Sequence, residues 1–64
     1  MAISIKAARV NAGLTQKEVA EHLKLSKNTI VSYEAYRTTP NIETSKAMAE
    51  LYGLTVDDIK WTQD

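Results

Sequence analysis

Residues 15–33 read TQKEVAEHLKLSKNTIVSY, and this stretch decides the fold. It holds two short helical patterns with almost nothing between them. Thr15-Gln16-Lys17-Glu18 has the form of a capping box: the threonine hydroxyl accepts from the Glu18 amide, and the Glu18 carboxylate returns to the Thr15 amide. Val19, Ala20 and Leu23 follow as the buried stripe of that helix. Ser26 caps a second helix, whose inward residues Ile30 and Tyr33 lie three apart. Only Lys24 and Leu25 stand between the two patterns, too few for anything but a tight turn. Two short helices joined this closely lock at a steep angle.

Outward from this pair, the remaining chain reads as three more short helices. Ser4 caps a helix over residues 5–12, with Ile5, Ala8 and Ala12 inward and Gly13 as a left-handed stop. Pro40 keeps its predecessor out of helical geometry and ends the segment after Tyr33. A fourth helix is expected over 42–52, with Ala47, Met48 and Leu51 inward and Gly53 as its stop. Thr55-Val56-Asp57-Asp58 opens a fifth, ending near Lys60, with acidic residues at the positive end of its dipole. No segment alternates as a strand does. The expectation is an all-α, compact five-helix bundle, one domain over 1–64, with the paired helices at about 15–35.

A chain of 64 residues hides only about 60% of the surface its unfolded form exposes, so its stability is marginal. It has no cysteine, which excludes disulfides and thiolate metal sites, and one histidine, His22, which cannot make a zinc site alone. No metal or other cofactor is expected. Stability has to come from helix packing or a partner subunit. The chain lacks the roughly 20-residue apolar run of a membrane span and the apolar core of a signal peptide. The expected location is the cytoplasm, with no membrane partner and no small-molecule ligand.

The formal net charge is zero, yet the charge is polarised along the chain. Residues 1–40 carry six basic against three acidic side chains, and residues 41–64 carry two against five. The basic half holds the helix pair. Such asymmetry is a hint of nucleic-acid contact, and it equally fits chance in a chain this short. The weak overall field implies modest non-specific affinity.

The second helix of the pair begins Ser26-Lys27-Asn28-Thr29, with Ser32 one turn on. In a helix-turn-helix the amino end of this helix reaches base edges in the major groove. Lysine donates to guanine O6 and N7, asparagine pairs with adenine, and Thr29 and Ser32 can donate to base or phosphate. In isolation such a turn is an ordinary solvated helix start; following a helix and a tight turn, it reads as a base-contacting set. Val31 is either core edge or a contact to a thymine methyl. Gln16, with Lys17 beside it, sits at the amino end of the first helix, where free amides favour an anion; its side chain can reach a phosphate or brace Asn28. Ser26 joins these as a backbone contact. Arg37, Thr38, Thr39 and Asn41 form a candidate phosphate clamp, or simply a polar loop. Ala20 is small where the two helices cross. Tyr33 reads as core with its hydroxyl at the surface, His22 as solvated, Met48 as core filler and Trp61 as core cover, or else as an anchor between subunits.

From Ile5 to Trp61 the chain resembles the lambda-repressor-like, Cro/Xre-type helix-turn-helix domains. The matching residues are Arg9, Gly13-Leu14-Thr15-Gln16, Val19-Ala20, Leu23, Ser26, Ile30, Ser32-Tyr33-Glu34, Arg37, Pro40, Ala49, Leu51-Tyr52-Gly53-Leu54 and Asp58-Ile59. The resemblance implies a five-helix bundle that binds operator DNA, commonly as a dimer on a palindromic site. It places Gln16 at a phosphate-contacting position that also braces the recognition helix, and Lys27, Asn28 and Ser32 at base-facing positions. It pairs Arg9 with Glu34. The chain departs from the family in two turns: Lys24 replaces a glycine, and Ala35-Tyr36 replaces Asn-Gly. Glycine serves such turns because φ is positive, which costs another residue roughly 1–2 kcal/mol. Either Lys24 and Tyr36 bear that strain or the turns are rebuilt. A Tyr36 that projects outward would stack on the DNA backbone.

The leading expectation is a sequence-specific DNA-binding transcriptional regulator of small Cro or repressor type, with double-stranded DNA as partner and a homodimer contact in residues 54–61. The alternative is a protein-interaction module, antitoxin-like or a modulator of another regulator, on the same fold. An enzyme is not expected, since no acid–base pair, cysteine nucleophile or phosphate-cradling glycine loop is present and five short helices leave little room for a substrate cavity.

Overall fold

The computed structural model describes residues 2–63. A two-residue strand β1 (Ile3–Ser4) leads into α1 (Ile5–Asn11), followed by α2 (Gln16–Leu23), α3 (Lys27–Glu34) and α4 (Ile42–Leu51). A single 3-10 turn (Val56–Asp58) then precedes β2 (Ile59–Lys60). The fold is helical, with α2, the turn at Lys24 and α3 as the helix-turn-helix.

Every helix starts on a side-chain cap. Ser4 Oγ accepts from the Ala7 amide at 3.0 Å, Ser26 Oγ from Thr29 at 3.2 Å and Asn41 Oδ1 from Thr44 at 2.8 Å. At α2 the capping box is complete, with Thr15 Oγ1 3.1 Å from the Glu18 amide and Glu18 Oε1 2.8 Å from the Thr15 amide. Those bonds hold the exposed Glu18 carboxyl below the usual range, because they favour the charged form.

All four helices also end in the same way. Leu14, Leu25, Arg37 and Leu54 each donate their amide back across the final turn, to Arg9, Ala20, Ser32 and Ala49 at 2.8–3.3 Å. The residue before each donor is left-handed: Gly13 (φ 74°), Lys24 (φ 58°), Tyr36 (φ 60°) and Gly53 (φ 74°). This is the Schellman stop. Two of the four are built on glycine and two are not, so Lys24 and Tyr36 carry the strain and the turns are not rebuilt. The leucine that follows three of these stops packs on the core.

The core is Ile5, Val19, Ile30 and Met48, all fully buried, joined by Ala8, Ala20, Ala49, Tyr52 and Ile59. Ala20, only 4% exposed, lets α2 lie close against α3, the most extensive helix contact of the fold.

Two features of the five-helix expectation are corrected. Residues 55–60 do not form a fifth helix. Asp58 Oδ2 accepts from both the amide (2.9 Å) and the hydroxyl (3.0 Å) of Thr55, which closes a single 3-10 turn. The chain then straightens at Ile59 (φ −117°, ψ 136°) and pairs with β1 in parallel, Ile3 opposite Ile59 and Ser4 opposite Lys60. The strand pair was illegible because alternation needs more than two residues per strand. It exists because Ile59 is drawn into the core and its backbone must then find partners. Ala12 and Ala47 are exposed rather than inward; Ala12 lies beyond the last turn of α1, and in α4 it is Ala49 that faces the core. Trp61 covers the core edge, its indole N–H donating to the Val56 carbonyl at 2.9 Å. Among the described residues no helix is long and apolar enough to cross a membrane.

Lys24 is exposed, and its side chain makes no hydrogen bond or ion pair among the described residues. Lys24→Gly should therefore raise unfolding stability by about 1 kcal/mol, read as a higher urea midpoint at unchanged slope. Tyr52 presents the opposite case, a residue 7% exposed whose buried hydroxyl has no hydrogen-bond partner among the described residues. Burial pushes that hydroxyl up to about 12, from an ordinary 10.0. The unfolded chain loses this proton near pH 10 while the folded chain holds it, so stability should fall from pH 10 towards pH 12. In Tyr52→Phe that alkaline fall should flatten, and stability at neutral pH should be unchanged or higher, since an orphan donor is removed without loss of shape.

Candidate nucleic-acid interface

Helical spacing puts Asn28, Thr29, Ser32 and Tyr33 on one side of α3, at positions i, i+1, i+4 and i+5. With Thr38 and Thr39 from the following loop they line an open groove of about 410 Å³. All six are neutral and five carry hydroxyl groups, so a polyanion entering here meets donors and no carboxylate. Lys27 stands exposed on the first turn of α3, Lys17 on the first turn of α2 and Arg37 at the end of α3. Of the expected base-contacting and loop residues, Asn28, Thr29, Ser32, Thr38 and Thr39 thus line one groove.

Several side chains have prior engagements. Ser26 Oγ caps α3 and lies 2.9 Å from Thr29 Oγ1, so those two hydroxyls satisfy each other. Asn41 spends its carbonyl oxygen on capping α4 and lies outside the groove. Tyr36 does not project outward for stacking; its hydroxyl donates to the Lys60 carbonyl at 3.0 Å and its ring packs on the core. A left-handed backbone sends this side chain towards β2, where an acceptor is available. Tyr33, read from sequence as core, also lines the groove. Its position one turn after Thr29 was the available signal.

Behind the groove lies a charge cluster that ties three elements together. Arg9 Nε donates to Glu34 Oε2 at 2.6 Å, and a second guanidinium nitrogen reaches Glu34 Oε1 at 3.2 Å. A third donates to the Leu14 carbonyl at 2.8 Å. Gln16 Nε2 donates to Glu34 Oε1 at 3.1 Å. Gln16 therefore braces the recognition helix through Glu34, not through Asn28. The side chains of Arg9 and Glu34 are only 11% and 5% exposed, and the hydrogen bonds to Glu34 drive the Arg9 guanidinium further up. Among the described residues the Gln16 amide makes no second hydrogen bond beyond the one to Glu34.

The chain belongs to the helix-turn-helix family, whose pattern it matches over residues 5–59. It is 34% identical over 55 residues to the cryptic phage CTXphi transcriptional repressor RstR of Vibrio cholerae, covering 86% of this chain and 50% of that protein. It is 38% identical over 53 residues to the transcriptional regulator ImmR of Bacillus subtilis (strain 168), covering 83% and 42%. A third relative is the transcriptional activator BcrR of Enterococcus faecalis, 31% identical over 51 residues, covering 80% and 25%. The chain thus spans half or less of the length of these relatives. No solved structure matches it.

The burial of the Arg9–Glu34 pair decides what its loss should do. An exposed pair would contribute little; removing one partner of a buried pair strands the other. Arg9→Met should cost about 3–5 kcal/mol, a large fraction of a small domain's stability. Urea unfolding followed by circular dichroism checks this, and a loss under 1 kcal/mol would contradict it.

Proposed function

We propose that this chain is the DNA-reading part of a transcriptional regulator, and that it binds operator DNA by laying α3 in the major groove. The supporting observation is the groove itself: Asn28, Thr29, Ser32, Thr38 and Thr39 are gathered along a lining without carboxylates, and Lys17, Lys27 and Arg37 are exposed on α2, on α3 and in the turn after α3. Membership of the helix-turn-helix family and the names of the three relatives support the same reading. Those names include a repressor and an activator, so the sign of control is not part of the proposal.

In this reading Asn28 and Ser32 contact base edges from the middle of the face, with Lys27 and Thr29 beside them. Gln16 donates its remaining amide hydrogen to a phosphate, and Lys17, Arg37, Thr38 and Thr39 grip the backbone on either side. Ser26 and Asn41 act chiefly as caps that fix the ends of α3 and α4. The protein binds as a two-fold dimer, with α3 of each copy one DNA turn of about 34 Å apart. A contact in residues 54–61 would use the outward Thr55, Asp57 and Lys60, because Ile59 is buried within the chain. It acts by binding and not by catalysis.

Selection from random double-stranded DNA tests the proposal. A palindromic motif with half-sites one turn apart is the expected result; absence of any enrichment at low salt would overturn it. On the selected site, Asn28→Ala should lose about 1–3 kcal/mol of discrimination at one base pair. Equal weakening on every sequence would instead place Asn28 on the backbone.

A further inference from the structure

Three of the four helix stops follow one rule: a left-handed residue with no core role, then a leucine that packs on the core. Gly13-Leu14, Lys24-Leu25 and Gly53-Leu54 obey it. The stop after α3 inverts it. Here the left-handed residue, Tyr36, packs on the core, and the residue that follows, Arg37, is exposed. The usual leucine contact has been moved back by one position, which frees the next position to carry a charge into solvent.

Tyr36 is an expensive choice for φ 60°. A bulky side chain in this region is an outlier, and such strain persists only where surrounding structure over-determines it. The surrounding structure is explicit. The Tyr36 hydroxyl bonds the Lys60 carbonyl at 3.0 Å, 24 residues away, on the strand that closes the fold. The Tyr36 amide bonds the Tyr33 carbonyl, and the Arg37 amide bonds that of Ser32, so the latch residue and its successor are both pinned to groove-lining residues of α3. Thr38 and Thr39 continue directly from Arg37 along the groove wall.

We propose that Tyr36 is a positioning residue for DNA binding: its latch onto β2 aims Arg37 and the 38–39 loop at the phosphate backbone without Tyr36 touching DNA itself. This rests on the DNA-reading function proposed above. It makes the grip of the loop depend on the carboxy-terminal strand, a link that a glycine at position 36 would not supply.

The test is a double-mutant cycle on the selected DNA site, with Tyr36→Gly, Tyr36→Phe, Arg37→Ala and the Tyr36→Gly/Arg37→Ala pair. Binding is measured against salt concentration, well below each variant's unfolding temperature, with folding confirmed by circular dichroism. Arg37→Ala should weaken binding on all sequences and reduce the salt slope by about one. Tyr36→Gly should reproduce that loss of slope although the charge at Arg37 is intact, and the double variant should bind no worse than Arg37→Ala alone. Tyr36→Phe, which removes only the hydroxyl, should weaken binding by less than Tyr36→Gly and by no more than about tenfold, the ceiling set by one net hydrogen bond. Wild-type affinity and slope in Tyr36→Gly, or losses that simply add in the pair, would overturn the latch while leaving DNA binding in place. A wild-type protein with no salt-dependent DNA binding would overturn the function itself, and the latch with it.

Discussion

The Glu34 carboxylate is the point through which the helices are held in register. It accepts from Arg9 twice and from Gln16 once, and Arg9 in turn holds the Leu14 carbonyl. A carboxylate this buried is tolerable only if its lone pairs are filled, and here Arg9 of α1 and Gln16 of α2 fill them. The consequence is geometric. The angle between α2 and α3 is set by apolar packing over Ala20, whereas the placement of Gln16 against α3 is set by charge-assisted hydrogen bonds, which tolerate far less displacement.

That division of labour suits a binding surface on a marginally stable domain. The groove residues are mostly hydroxyls and an amide on a helix of eight residues, with a modest apolar face of its own. They cannot hold position by themselves. Rigidity comes from behind, through the buried cluster, and from both ends, through the Ser26 cap and the left-handed stop at Tyr36. The polarised charge of the chain then has a structural meaning, since its basic half contains α2, α3 and the loop that flanks the groove.

The four helix stops show how one backbone solution admits different side chains. At Gly13 and Gly53 the left-handed turn costs little, since glycine has no Cβ to clash. Lys24 accepts the strain with its side chain in solvent, and Tyr36 accepts it while packing and bonding elsewhere. Identical hydrogen bonding at all four ends therefore conceals a difference in use: three stops serve packing, and the fourth also directs a charged loop.

Apart from the Asn41 cap and the outward Ala12 and Ala47, the caps, stops and inward stripes were legible in the sequence because they are local. Thr15 with Glu18, Ser26 with Thr29, Gly13 and Gly53 each act within a few residues, and Val19, Ala20 and Ile30 declare themselves by spacing alone. That Asn28, Thr29 and Ser32 share one side of α3 was legible for the same reason. Residues 55–60 were misread because their local signal, an acidic turn after Thr55, was consistent with a helix. The pull of Ile59 into a core built by residues up to 54 positions away, and the exposed edge of Ile3–Ser4 beside it, turned the chain into a strand. Gln16 was expected to reach a phosphate or brace Asn28, and its brace runs to Glu34 instead; Tyr36 was expected at the DNA and its hydroxyl meets Lys60. In each case the deciding partner is distant in the chain. Sequence determined which residues could start, stop and line the helices, because those are properties of neighbouring dihedrals. Only the tertiary structure decided which polar groups found each other, because that choice follows from where a buried donor or acceptor comes to rest once the core has closed.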